Sequence, residues 1–202
     1  MYFYFIFYTV LFSSSLPVIF LLKNSAKIEE FYEENKLFIL FLIFRFLTDI
    51  SVFIFSKIYG NSFPVFYFSV ICEFLILVNL FDKVYPLKHK KFLYLLGFIS
   101  SIIDLLLTMN LFSDNVYSTL ITFVLIIGIT GKIIISNNTT RENELLVYSI
   151  FLYYILALSY TFFQKFNFQT ELLNDIAFYF FALATFVFNI SLSYVVCTVK
   201  PR

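Results

Sequence analysis

Seven uninterrupted apolar runs dominate this chain, at roughly 2–22, 37–56, 63–82, 92–112, 116–136, 145–164 and 172–197. A helix of about 20 apolar residues crosses a hydrocarbon core about 30 Å thick. Inside that core every backbone N–H and C=O must be paired within the protein, which leaves helices and closed barrels. Barrel strands would read as alternating segments of about 10 residues, and these runs are continuous. The pattern predicts an all-α polytopic membrane protein, a bundle of seven transmembrane helices forming one domain over 1–202. Only 13% of the residues are charged, against about 25% in soluble domains, too few to solvate a surface of this size.

The connections between runs are short. The longest, from Lys23 to Lys36, is acidic at Glu29, Glu30, Glu33 and Glu34. Asn24 and Ser25 can cap a helix there, with the glutamates in its opening turns, so this segment is expected to extend the second helix. No connection can hold a soluble domain, and any site must be built between the helices or at their mouths.

Orientation follows from the basic residues flanking the runs. Lys23, Lys27, Lys36, Lys83, Lys88, Lys90, Lys91, Lys132, Arg141, Lys200 and Arg202 fall on one side, and Lys57 and Lys165 on the other. The N-terminus is therefore expected outside and the C-terminus in the cytosol. The first run lacks a basic n-region and exceeds the usual length of a signal-peptide core, so it is expected to be retained. The triplet Asn137-Asn138-Thr139 would lie in the cytosol, where it is no glycosylation site. A composition rich in Phe, Ile, Asn and Lys points to an AT-rich bacterial genome, hence to the cytoplasmic (inner) membrane.

Charged side chains at bilayer depth are costly and mark candidate sites. Arg45 and Asp49 stand four residues apart on the second helix, where they share a face and can pair, with Thr48 and Ser56 extending that face. The third helix carries Ser62, Ser69 and Glu73 on one stripe, and the fourth Gly97, Ser101, Asp104 and Thr108. The sixth offers Ser149, Tyr153, Tyr160 and Gln164, and the seventh Ala182, Thr185, Asn189 and Ser193. Such narrow stripes among Phe, Leu and Ile describe helices with a lipid face and an inward polar seam. At 1.5 Å per residue, Asp49 and Asp104 lie about 18 Å deep and Glu73 about 15 Å, all near the midplane. The expected site is Arg45, Asp49, Glu73 and Asp104, between helices two, three and four, with Thr48, Ser69, Tyr153 and Asn189 as a secondary seam. Arg45 should neutralise Asp49, and burial should favour protonated Glu73 and Asp104. The plainer alternative is that these groups are interhelical glue.

Other features carry less. Gly97, Gly128 and Gly131 should permit close helix packing. Pro17 and Pro64 should sit near helix ends, where proline is tolerated. With Trp absent, Tyr2, Tyr4, Tyr59, Tyr85 and Tyr117 are expected to form interfacial belts.

Much chemistry is excluded. The single histidine, His89, is in a basic loop, so neither a zinc centre nor a histidine-based triad can be built in the bilayer. There is no HExxH, CxxC or phosphate-binding glycine loop, and no cofactor or metal is expected. The last helix has no lysine for a retinal Schiff base, and the Asp-Arg-Tyr and Asn-Pro-x-x-Tyr signatures of G-protein-coupled receptors are missing. Cys72 and Cys197 lie in apolar runs and imply no disulfide framework. A net charge of +1 gives no nucleic-acid face. The expected partners are the bilayer, a small ligand or another membrane protein. The expected function is a non-enzymatic module that senses a ligand or serves as an assembly subunit. A proton- or cation-coupled transporter is the alternative, and a lipid-modifying enzyme the weakest reading.

Overall fold

The computed structural model describes residues 2–23, 28–60, 63–108, 116–136, 141–165 and 171–198. These form seven α-helices: α1 (Tyr2–Lys23), α2 (Ile28–Tyr59), α3 (Phe63–Val84), α4 (Lys90–Thr108), α5 (Val116–Ser136), α6 (Arg141–Lys165) and α7 (Glu171–Thr198). Over its described residues, each apolar run falls in one helix. Five contain spans long and apolar enough to cross a membrane, namely Asn35–Tyr59, Pro64–Val84, Tyr117–Ser136, Asn143–Phe162 and Asp175–Thr198. As expected, α2 extends before its span, and the junction is a kink at Asn35, whose backbone is non-helical. Asn24, Ser25, Ser62 and the 137–139 triplet lie outside the described residues.

The helices form a ring. Neighbours in sequence pack together from α1 to α3 and from α5 to α7, α3 packs on α5, and α7 returns to α1. Helix α4 lies outside, against α3 and α5. The surface is apolar and the interior carries polar groups: Phe12, Phe68 and Phe180 are exposed, whereas Ser14, Arg45, Asp104, Thr130 and Asn189 are buried. Water as solvent would invert that distribution; a bilayer accounts for it.

Packing is uneven along the ring axis. The apolar core comprises Phe38 to Leu42, Phe74 to Phe81, Ile126 to Ile133, Leu146 to Ala157 and Phe188 to Val196, with Leu21. All lie toward the end of the bundle that carries Lys23, Lys36, Lys83, Lys90 and Lys132, here called the basic end. Toward the other end, none of residues 8–12, 46–60, 158–162 or 175–181 is buried. A helix packed in a bundle turns a face inward every 3.6 residues. On α1, α2, α6 and α7 the inward faces toward that end are therefore only partly covered, whereas α3, α4 and α5 stay packed there through Tyr67, Ser69, Ser101, Asp104, Ser118 and Thr122.

Details of packing divide the sequence expectations. Gly97 sets the α3–α4 approach, since an added Cβ would stand 2.7 Å from a ring atom of Phe74. Gly128 faces open space and Gly131 makes only an ordinary contact, so close packing does not account for them. Pro64 is the second residue of α3, but Pro17 is inside α1 and removes the amide that would have bonded the Ser13 carbonyl. At the basic end, Asp82 accepts bonds from the Leu87 amide (2.9 Å) and the Lys90 ammonium (2.8 Å), fastening the α3–α4 turn.

Candidate functional site

Arg45 crosses the ring at the margin of its apolar core. It stands ten residues, about 15 Å, into the Asn35–Tyr59 span, and Glu73 nine residues, about 14 Å, into Pro64–Val84. Arg45 Nη1 donates to Glu73 Oε1 at 2.7 Å, with the two side chains 10% and 16% exposed. The guanidinium also lies against two aromatic rings of the far wall, 4.4 Å from the Tyr153 centroid on α6 and 4.9 Å from that of Phe188 on α7. Those rings stack on each other at 4.3 Å. One side chain thus joins four helices, through charge on one side and ring faces on the other.

Asp49 lies one turn farther along α2, within electrostatic reach of Arg45 and Glu73 and beside Ser14 of α1. Its Oδ2 is buried without a hydrogen-bond partner in the protein, as are Arg45 Nε and the Tyr154 hydroxyl. Tyr154 is beside Glu73 and Arg45, 1% exposed, and meets Tyr153 edge-on at 5.2 Å.

The expected Arg45–Asp49 pair is therefore corrected: the ion pair is Arg45–Glu73. A helical pair four residues apart is weaker with the base on the N-terminal side, whereas α3 presents Glu73 directly to the guanidinium. Glu73 is accordingly a counter-ion, not an isolated carboxyl.

The midplane expectation for Asp104 is also corrected. Asp104 is fully buried at the α4–α5 end of the bundle, where it accepts bonds from the backbone amides of Tyr117 (3.2 Å) and Ser118 (2.6 Å). A carboxylate there satisfies amides that the first turn of α5 leaves unpaired and complements its dipole.

The secondary seam is dispersed. Tyr153 belongs to the cluster. Ser69 is buried one turn from Glu73 and bonds back to the Phe66 carbonyl. Thr48 is half-buried on α2. Asn189 donates to Ser13 Oγ at 2.9 Å and joins α7 to α1. The inward stripes on α4 and α7 do face inward, with Gly97, Ser101, Asp104, Ala182, Thr185, Asn189 and Ser193 all buried. Tyr59 and Tyr117 are exposed and Tyr85 is half-buried. Phe188, Tyr154 and Ser14 were not anticipated as members of the site. Among the described residues, no group of His, Cys, Asp and Glu is arranged to hold a metal.

Fold and site together define an all-helical protein of membrane type with a charged cluster inside its ring. Compared with known proteins, the chain matches no family model, no curated protein and no solved structure.

Proposed function

We propose that this chain is a single seven-span integral membrane unit, N-terminus outside and C-terminus cytosolic, in a bacterial cytoplasmic membrane. In this reading it is a non-enzymatic module that recognises a small ligand arriving from the outer side. The observation that carries the reading is the position of the Arg45–Glu73 pair: apolar packing closes the ring toward the basic end, and the faces of α1, α2, α6 and α7 are less covered toward the other. Eleven basic residues against two favour a cytosolic basic end, which turns the less covered half outward. With 22 residues in α1 and 19 in α4, both reach about 28 Å or more at 1.5 Å per residue and complete the seven spans.

Helices that run unbroken through the Arg45–Glu73 level favour recognition over transport. Transporter sites are commonly built from discontinuous helices. Here the non-helical backbone within α2 is at Asn35, ten residues before Arg45.

Accessibility tests the reading. In a Cys72→Ser, Cys197→Ser background, Thr48→Cys should react with a membrane-impermeant thiol reagent added outside intact cells, and Phe41→Cys should not. Protection of Thr48→Cys, or labelling only from inside, overturns it. Protein-dependent proton, sodium or potassium flux in proteoliposomes would also overturn it, in favour of the coupled transporter. A reporter after Ser113 should read external and one after Arg202 cytosolic.

A further inference from the structure

Two carboxylates share one guanidinium at mid-height of the ring. Among the described residues, the charged groups that act on Asp49 are Arg45 and Glu73, and the Ser14 hydroxyl lies within hydrogen-bonding range of it. From α6, Tyr153 faces the same three charged groups, and from α1 the uncharged Ser14 approaches Asp49 while giving its own hydroxyl proton to the Leu11 carbonyl at 2.9 Å. The guanidinium is committed geometrically to Glu73, at 2.7 Å and braced by the Tyr153–Phe188 stack. Asp49 Oδ2 is left buried with no donor. With every group ionised, the cluster would hold a net charge of −1 in an interior where an unpaired carboxylate is strongly disfavoured. One bound positive charge balances it, and the unpartnered oxygen is where that charge is needed.

We infer that the Arg45–Glu73–Asp49 cluster is a proton-binding site, with the proton on Asp49. A proton is the cation that fits. An alkali ion takes several oxygen ligands, whereas Asp49 Oδ2 is already enclosed by the protein. The hydroxyl of a protonated Asp49 is a donor as well as an acceptor, which suits a position beside Ser14 and Glu73. Exchange with outer water would run along the less covered faces of α1, α2, α6 and α7. This inference rests on the membrane-spanning reading of the bundle and names the first ligand of its site.

The arrangement also fixes which changes expel the proton. Asp49→Asn removes the carboxyl. Glu73→Gln removes the competing counter-ion, so that Arg45 turns to Asp49, one helical turn away, and Asp49 ionises. Two substitutions on different helices should therefore have the same spectroscopic consequence.

The test is infrared difference spectroscopy of the full-length protein in lipid nanodiscs, comparing neutral and alkaline pH. Wild type should show a protonated-carboxyl C=O band at neutral pH that disappears at alkaline pH. The band should be absent from both Asp49→Asn and Glu73→Gln and present in Asp104→Asn. Stability runs in the same sense. A folded state that holds a proton the unfolded chain has released loses stability as pH rises, so wild type should fall more steeply with pH than Asp49→Asn. A band that survives in Asp49→Asn overturns the assignment to Asp49, and one that survives in Glu73→Gln overturns the shared guanidinium. A wild-type spectrum with no band, together with thermal stabilisation by sodium over choline chloride that Asp49→Asn abolishes, would replace the proton by an alkali cation. These outcomes are independent of thiol accessibility and ion flux, so the inference and the recognition reading fail separately.

Discussion

Replacing Arg45 by leucine tests whether the cluster organises the bundle. The substitution removes the 2.7 Å bond to Glu73 and the contacts with Tyr153 and Phe188. It leaves a carboxylate whose side chain is only 16% exposed. Polar contacts between membrane helices average about 0.6 kcal/mol, but breaking a buried ion pair from one side costs about 3–5 kcal/mol. The second figure governs here, because both partners are largely enclosed, and each lost ring contact adds about 0.5–2 kcal/mol. Glu73→Leu should cost less than Arg45→Leu, since the stranded guanidinium keeps the rings and can turn to Asp49. The double variant Arg45→Leu, Glu73→Leu should recover part of the loss, with a coupling in the range of about 0.5–3 kcal/mol found for residues in direct contact. Reversible unfolding in mixed micelles, followed by circular dichroism over the four proteins of the cycle, gives the number. Strictly additive losses, or a Glu73→Leu variant less stable than Arg45→Leu, would refute the reasoning.

Gly97→Ala should destabilise by about 1–3 kcal/mol through overpacking against Phe74, and Phe74→Leu should relieve part of it; Gly128→Ala, in open space, should be neutral or stabilising by thermal denaturation. Asp104→Ala removes the acceptor at the start of α5 and should cost about 0.5–2 kcal/mol, with faster hydrogen exchange at the Tyr117 and Ser118 amides than at mid-helix. Asn189→Leu should cost no more than about 1.7 kcal/mol, the upper end for such contacts, and Ser13→Ala should add little to it in the double variant if the two form one bond.

The helices were legible in the sequence because the length of an apolar run and the thickness of a bilayer are the same constraint. Six of the seven runs lie within about four residues of their helices at each end, charged first turns such as Lys90-Lys91 and Arg141-Glu142 continuing the helix, while α2 begins nine residues before its run, at Ile28. The inward stripes on α4 and α7 were legible for the same reason, since period 3.6 puts Gly97, Ser101 and Asp104 on one face. Partner choice was not. Sequence spacing sees Asp49 beside Arg45, but only the third dimension brings Glu73 to it from another helix. Phe188 and Tyr154 left no signal, because among 31 Phe and 15 Tyr a ring that receives a cation looks like one that faces lipid. Asp104 was misplaced because depth was counted from the start of its helix. Which helix terminus its carboxylate would cap depends on how α4 turns back into α5.

The route by which the ring closes has a consequence for biogenesis. Membrane helices are delivered in chain order, and an arginine at mid-bilayer costs about 2.5–3.5 kcal/mol to insert alone. Because its counter-ion is on the next helix, Arg45 can enter the bilayer as half of a neutralised α2–α3 hairpin, before the remaining helices exist. The aromatic wall comes much later, with Tyr153 and then Phe188, and the seam between α1 and α7 cannot be sewn until the last helix has been synthesised. A ribosome stalled before α7 would therefore hold an inserted, charge-balanced intermediate with an unsealed flank. Quality-control proteases that read exposed polar seams in the membrane would meet Ser13 and Ser14 there, and nowhere on the finished ring.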